Sequence, residues 1–309
     1  MSQSNFNLLK IMCAIHAPSG NEVAMKNFLL AYIKKEKNNW HVKPKIYTGE
    51  EFQDCIVLVF GKPRTAIFAH MDSIGFTVRY QKQLVKIGGP RTPNGMHLVD
   101  EKGRNATLSV IKEKTGYEKL EYKSTSKFAT GTELTFKPNW RETKDFVQCC
   151  YMDNRLGIYN ALKVAETLTD GAIVFSCWEE HGGGSVSYLQ KFLQKKYKIK
   201  QALISDITWI TEGVKHGKGV AISMRDSLIP RRSFVQKIIS LAKKYKVSFQ
   251  LEVEGSGGSD AKELQMAEYP WDWCFVGAPE DNVHTPDEKV HKTDIASMIK
   301  LYEALMKEL

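Results

Sequence analysis

The order of apolar and polar positions divides the chain into two stretches of mixed helix and strand, separated by one of a different kind. Ser19-Gly20-Asn21-Glu22 fits an S-x-x-E capping box, and Val23, Phe28, Leu29 and Ile33 follow at helical spacing, so the pattern predicts a helix from about residue 23. Two compact apolar runs come next, at 55–60 and 65–69, joined by Gly-Lys-Pro. Runs of that length without alternation are expected to be strands buried on both faces of a sheet covered by helices. The second run stops at His70-Met71-Asp72.

From about 76 to 147 the character changes. Segments such as FTVRY, LVKIG, ATLSVI and ELTFKP are short, rich in β-formers and punctuated by Gly, Pro and Asn, which predicts a small all-β unit. The earlier rhythm then returns, with helices predicted at 156–168, 186–195, 234–245 and 295–305. Strands are predicted at 172–177, 201–205, 220–224, 247–253 and 273–276. The reading is one α/β sandwich, 1–75 and 148–309, interrupted by an inserted β-rich domain at 76–147. There is no internal repeat.

Composition narrows the class. The chain has 309 residues, 42% of them hydrophobic, enough for a sizeable core. Its opening, MSQSNFNLLK, lacks the apolar region of a leader, and no run approaches the roughly 20 apolar residues that span a bilayer, so a soluble cytoplasmic protein is expected. The six cysteines, Cys13, Cys55, Cys149, Cys150, Cys177 and Cys274, contain no CxxC pair and are expected to be buried thiols, neither a disulfide framework nor a zinc site. The net charge of +9 comes from lysines scattered along helical patterns, with no clustered stripe or nucleic-acid-binding module. Neither a nucleic acid nor a membrane is expected as a partner.

The candidate chemistry falls at the ends of predicted strands, where open α/β sheets place their ligands. The segments are AHMDSIGF (69–76), YMDNRLG (151–157), WEEHGGG (178–184), LISD (203–206) and VHTP (283–286). Together they supply His70, Asp72, Asp153, Glu179, Glu180, Asp206 and His284. Two imidazoles among several carboxylates are the nitrogen and oxygen donors that suit zinc, cobalt or manganese. Each motif alone is common; their joint placement carries the argument.

Over nearly its whole length the chain resembles the glutamyl/deblocking aminopeptidases, metallopeptidase family 42, whose oligomers include tetrahedral assemblies. The resemblance rests on H-x-D-x-I-G-F, on D-N-R-x-G and on the adjacent glutamates. It extends to GKGVAISMRD at 217–226, GGSDA at 257–261 and HTPDE at 284–288. It implies a three-layer α/β/α zinc-peptidase sandwich and a metallo-aminopeptidase that removes N-terminal residues from short peptides. Two divalent metals are implied, zinc first, with cobalt or manganese as alternatives. By the same resemblance His70 and Asp206 would hold one metal, Glu180 and His284 the other, and Asp153 would bridge them. Glu179 would be the general base and Asp72 would orient His70. Two metals about 3.5–4 Å apart polarise a carbonyl and acidify water, which is the chemistry such a ligand set serves.

The adjacent glutamates call for separate roles. In extended backbone, neighbouring side chains point to opposite sides, so one is expected to bind metal while the other faces the water. Adjacency also disfavours a glycoside hydrolase, whose carboxylates face each other across a sugar at about 5–9.5 Å. A β-rich segment between Asp72 and Asp153 favours family 42 over other two-zinc peptidases with the same core.

Two features depart from the family. His-Gly-Gly-Gly-Ser stands where Val-Gly-x-Arg-Gly is usual, with His181 read as an incidental loop residue. The Trp- and Pro-rich segment 268–282 is read as an unusual loop near the substrate pocket. His16, His41, His97, His216 and His291 have no partner motif, and HGGGS and GSGGSDA lack the Gly-Lys-Ser/Thr of a phosphate cradle. Gly255–Gly258 is expected to let the backbone pass near the metals, and Ser259-Asp260 to cap the next helix. Alternative functions are a two-metal N-acyl amino acid deacylase or carboxypeptidase, and an inactive metal-binding assembly protein. In the resembled family the insert mediates dimerisation, so a homodimer is expected and a dodecamer is the larger alternative.

Overall fold

The computed structural model describes residues 6–112, 116 and 118–309. Residues 1–5, on which the reading of the leader partly rests, lie outside the described residues. The large sheet is built around four parallel strands in the order Gly171–Ser176, Thr65–His70, Gln201–Trp209 and Asp272–Asp281. Ile56–Phe60 joins antiparallel at one side. At the other, Val220–Arg225 pairs with Asp272–Asp281 and with the edge strand Phe249–Val253.

The chain passes from Thr65–His70 to its neighbour on one side, then back across it to Gln201–Trp209 on the other. Right-handed crossovers in opposite directions put the connecting helices on opposite faces. Met152–Ala165, Arg232–Lys244 and Lys292–Glu308 therefore pack together on one face, and Ser185–Tyr197 with Ala261–Gln265 on the other. This is the α/β/α sandwich expected from the sequence. Arg232–Lys244 illustrates why these segments dock. Phe234, Val235, Ile238 and Leu241 recur on one side and are buried, each contributing about 1.5–3 kcal/mol relative to exposure.

The β-rich segment forms a second sheet of six strands, Leu84–Ile87, Gly75–Val78, Glu133–Phe136, His97–Val99, Asn105–Lys112 and Glu118–Lys123 in spatial order. Its continuation does not stay with it. Arg141–Glu142 pairs with Phe146–Gln148, which pairs with Lys289–His291 of the large sheet.

Several local expectations are corrected. A helix at Asn7–Cys13, too short to give a clear period, precedes the one read as first. The next helix, Val23–Glu36, has no capping box: the Ser19 hydroxyl donates to Asp72 (2.5 Å), and Glu22 accepts from the Gly20 amide. The segment 268–282 is not a loop. Most of it is the strand Asp272–Asp281, and Trp271 and Trp273 are buried. Ser259 does accept a bond from the Ala261 amide, while Asp260 accepts from Ser176 instead of capping the helix. All six cysteines are free and buried. Among the described residues no helix is long and apolar enough to cross a membrane.

Candidate active site

The D-N-R-x-G segment opens the helix Met152–Ala165, and each of its residues has a local task. The Asn154 amide donates to the Ser205 carbonyl (2.8 Å) and its oxygen accepts from Gly157 N (2.8 Å). A Cβ on Gly157 would lie 2.0 Å from the Ser205 carbonyl oxygen, so only glycine lets the helix sit this close to Gln201–Trp209. Arg155, wholly buried, donates to the Met71 carbonyl. The helix start is thus tied to the ends of two sheet strands, with Asp153 held over them.

All seven candidate residues come together there. His70 Nε2 lies 3.2 Å from Asp153 Oδ1 and 3.6 Å from Asp206 Oδ2. His284 Nε2 lies 3.4 Å from Asp153 Oδ2 and 3.2 Å from Glu180 Oε2. Two donor groups result, His70–Asp153–Asp206 and Asp153–Glu180–His284, the donor atoms of each lying within 4.8 Å of one another. Asp153 belongs to both and turns one oxygen to each. His284 Nδ1 donates to the Gly89 carbonyl (3.1 Å), which turns Nε2 toward the carboxylates.

Asp72 Oδ1 lies 3.3 Å from His70 Nδ1. The same carboxylate accepts the backbone amides of Glu179 (3.2 Å) and Glu180 (3.0 Å), so it braces the imidazole and the paired glutamates at once. The glutamates are not in extended backbone as expected; they lie in a 3-10 turn, Glu179–His181. Their side chains diverge all the same, Glu180 toward His284 and Glu179 toward His70 Nε2 at 3.9 Å. Glu180 is 3% exposed and Glu179 18%, so only Glu179 opens appreciably to the cavity. His181 is more than incidental. Its Nδ1 accepts from Gly88 N (3.0 Å), tying the turn to the second sheet.

Burial, with the charge of Asp153 next, pushes Glu180 up to about 7 and Asp206 up to about 6. Burial drives Glu179 well above the carboxylate range. Burial alone would lower His70 and His284, yet the carboxylates around them hold both imidazoles well above their ordinary value. Buried negative charge is in excess, and Glu180 Oε1 is buried without a hydrogen-bond partner. That condition is relieved by divalent cations, and a nitrogen-and-oxygen donor set fits them.

Sequence reasoning missed Glu288, whose carboxylate accepts from the backbone of both Asp153 (3.4 Å) and His284 (3.0 Å). Its place in HTPDE was the available signal. It also missed Gly88-Gly89, where a Cβ would meet Glu180 O at 3.0 Å and His284 Nδ1 at 3.2 Å respectively. The Gly-rich turn after the glutamates is no phosphate cradle, since Gly184 N and Ser187 N donate to Glu263. Ser256, Gly257 and Gly258 line the cavity of about 250 Å³ that holds Asp153, Glu179 and His284.

With this geometry in hand, the comparisons are specific. The model of the M42 glutamyl aminopeptidase family matches residues 81–301. A protein of Acetivibrio thermocellus provisionally named an aminopeptidase is 25% identical, covering 96% of each chain. An aminopeptidase of the archaeon Desulfurococcus kamchatkensis superposes with a TM-score of 0.83 at 21% identity, over 98% of this chain and 94% of that one. The TET1 peptidase of Pyrococcus horikoshii, described as assembling into a tetrahedron or a large octahedral shell, superposes with a TM-score of 0.79 at 22% identity, over 98% and 99%. The chain belongs to the M42 glutamyl aminopeptidase family. It is a metallo-aminopeptidase, a hydrolase of peptide bonds that works with divalent metal.

Proposed function

We propose that the protein removes N-terminal residues from short peptides with two metal ions, zinc in the first instance, held by the residues just described. The observation that carries this reading is Asp153, whose two oxygens face separate imidazoles, a placement from which it would bridge the ions. His70 and Asp206 would hold one ion, and Glu180 and His284 the other. When bound, the pair polarises the scissile carbonyl and lowers the pKa of the attacking water. Glu179, the more open glutamate, takes that water's proton and passes it to the leaving amine. Asp72 keeps His70 oriented and fixes the turn that separates Glu179 from Glu180. Glu288 sets the backbone that presents Asp153 and His284.

Residues 1–75 and 148–309 form the catalytic domain in this proposal, and 76–147 serves as the dimerisation domain of a cytoplasmic homo-oligomer. The six-stranded sheet nearly closes on itself through the Gln83–Glu121 bridge, and its exposed apolar residues Val85 and Ile111 favour a second copy as cover. The tetrahedral shell described for the Pyrococcus protein makes a dodecamer the larger assembly to look for.

Elemental analysis of the purified protein is expected to give about two metals per chain. Chelation should abolish cleavage of aminoacyl-4-nitroanilides without unfolding the sheet. N-acetylated substrates should be inert; preferential hydrolysis of N-acyl amino acids, or full activity without metal, would overturn the reading. Light scattering should find at least a dimer, and a strict monomer at high concentration removes the role given to the insert.

A further inference from the structure

The cavity beside the metal ligands continues to a second wall that the reaction does not use. It is formed where Gln201–Trp209 meets the edge pair Val220–Arg225 and Phe249–Val253. Three carboxylates line it, those of Asp226, Glu252 and Glu254. Glu252 is 4% exposed and Asp226 8%, so these are not solvated surface charges. Thr208 donates its hydroxyl to Glu252, and the Leu228 amide donates to Asp226 (2.6 Å). Among the described residues none of the three makes an ion pair. The nearest cation, Arg225, spends its Nε on the backbone carbonyls of Asp226 and Glu254.

Burial raises Glu252 from its ordinary value against hydrogen bonds from Thr208 and Ser223, and the charges of Asp226 and Glu254 push the same way. The three therefore sense one another across a shared space. Ser223 is the register partner of Glu252 and so points to the same face, its hydroxyl buried beside that carboxylate. The remaining wall is apolar, from Ile207, Phe275 and Trp209.

An apolar wall leading to carboxylates that form no ion pair among the described residues matches a side chain with a hydrocarbon stem and a cationic head. We propose that this is the pocket for the first side chain of the substrate and that it selects lysine or arginine, with Glu252 and Asp226 receiving the charge and Glu254 assisting. The inference rests on the aminopeptidase reading and deepens it. It also departs from the family's description as glutamyl: an acidic first residue would bring a fourth carboxylate to a wall that already has three.

The test compares residues of equal length that differ in charge, on the metal-loaded protein. Arginine-4-nitroanilide is expected to exceed citrulline-4-nitroanilide in kcat/KM by at least about tenfold, and lysine to exceed norleucine similarly, with glutamate the poorest. The double variant D226N/E252Q should bring the arginine-to-citrulline ratio toward one. If that variant does not fold, the half-buried E254Q should lower the ratio by a smaller factor. A wild-type ratio near one, or glutamate as the best substrate, overturns the proposal while leaving the aminopeptidase reading intact. If no free-amine anilide is cleaved, that reading fails. Calorimetry with argininamide and citrullinamide then decides the pocket on its own: tighter binding of argininamide supports it and equal binding overturns it.

Discussion

The two sheets are built from similar strand-forming residues and do different work. In the large sheet, Ile56–Phe60, Thr65–His70 and Gly171–Ser176 are buried at every position, because helices cover both faces. In the smaller sheet, Leu84–Ile87 is buried only at its ends, and Asn105–Lys112 and Glu118–Lys123 mix buried with exposed positions. Its core is one-sided, built on Phe76, Leu98, Leu108, Leu134 and Phe136. A covered sheet holds its strand ends rigidly, and the candidate metal ligands sit there, on and just beyond those ends. The small sheet supplies no ligand side chain. It touches the site through backbone alone, by Gly88 N to His181 and Gly89 O to His284. It is anchored by Tyr151, whose ring stacks on Phe136 (6.3 Å) and whose hydroxyl donates to the Phe136 carbonyl (3.3 Å), two residues before Asp153. Chemistry and placement are thus divided between the sheets.

The largest expected effect lies wholly in the large sheet. Asp153→Ala removes the carboxylate common to both donor groups, so metal content should fall and kcat/KM should drop by about 10³-fold or more. Retention of two metals by that variant would break the bridging assignment. Glu179→Gln is expected to keep both metals and lower kcat by about 10²–10⁴-fold, since it removes a proton acceptor and little else. Near-wild-type turnover in this variant would place the base elsewhere.

The division itself is probed from the small sheet. Gly88 has φ +68, and an added Cβ would lie 2.8 Å from Ile74 Cγ2 and 3.0 Å from Glu180 O. Gly88→Ala should therefore displace the glutamate turn, costing about 1–2 kcal/mol of stability and lowering kcat by about tenfold. Unchanged kcat would mean that the insert does not help to place the site. The smallest effect is confined to the insert. The amides of Arg104 and Lys102 and the Arg104 guanidinium outweigh burial and hold the Asp100 carboxyl below its ordinary range. A depressed carboxylate contributes stability above its unfolded pKa of about 3.9, and that contribution is lost as pH falls through the lower folded value. Asp100→Asn should thus cost about 1 kcal/mol in denaturant unfolding at pH 7 and almost nothing near pH 2. A pH-independent difference would rule out the charged form as the cause.

Much of this protein was written locally. The apolar runs at 55–60 and 65–69 read as doubly covered strands because burial on both faces removes alternation, and the structure buries every position of Ile56–Phe60 and Thr65–His70. The seven candidate residues were legible because carboxylates and imidazoles at strand ends are costly to bury without a purpose. The separate roles of Glu179 and Glu180 were read from the wrong backbone, since a 3-10 turn with two amides on Asp72 comes from a residue more than 100 positions away. Segment 268–282 was misread for a related reason. The strand predicted at 273–276 is present but short of its true length, and pairing with Gln201–Trp209 along nine residues extends it to 272–281. Glu288 was signalled only by its place in HTPDE, and Gly89 and the Glu252 wall were beyond reach. Their partners lie on other strands, and a hydrogen bond or a shared cavity between distant segments leaves no periodic trace in the chain. The sequence by itself determined the elements and the donor set, through periodicity and residue type. Only the tertiary structure decided which oxygen of Asp153 faces which imidazole, and which carboxylates share a pocket, because both depend on how separate strands register and cross.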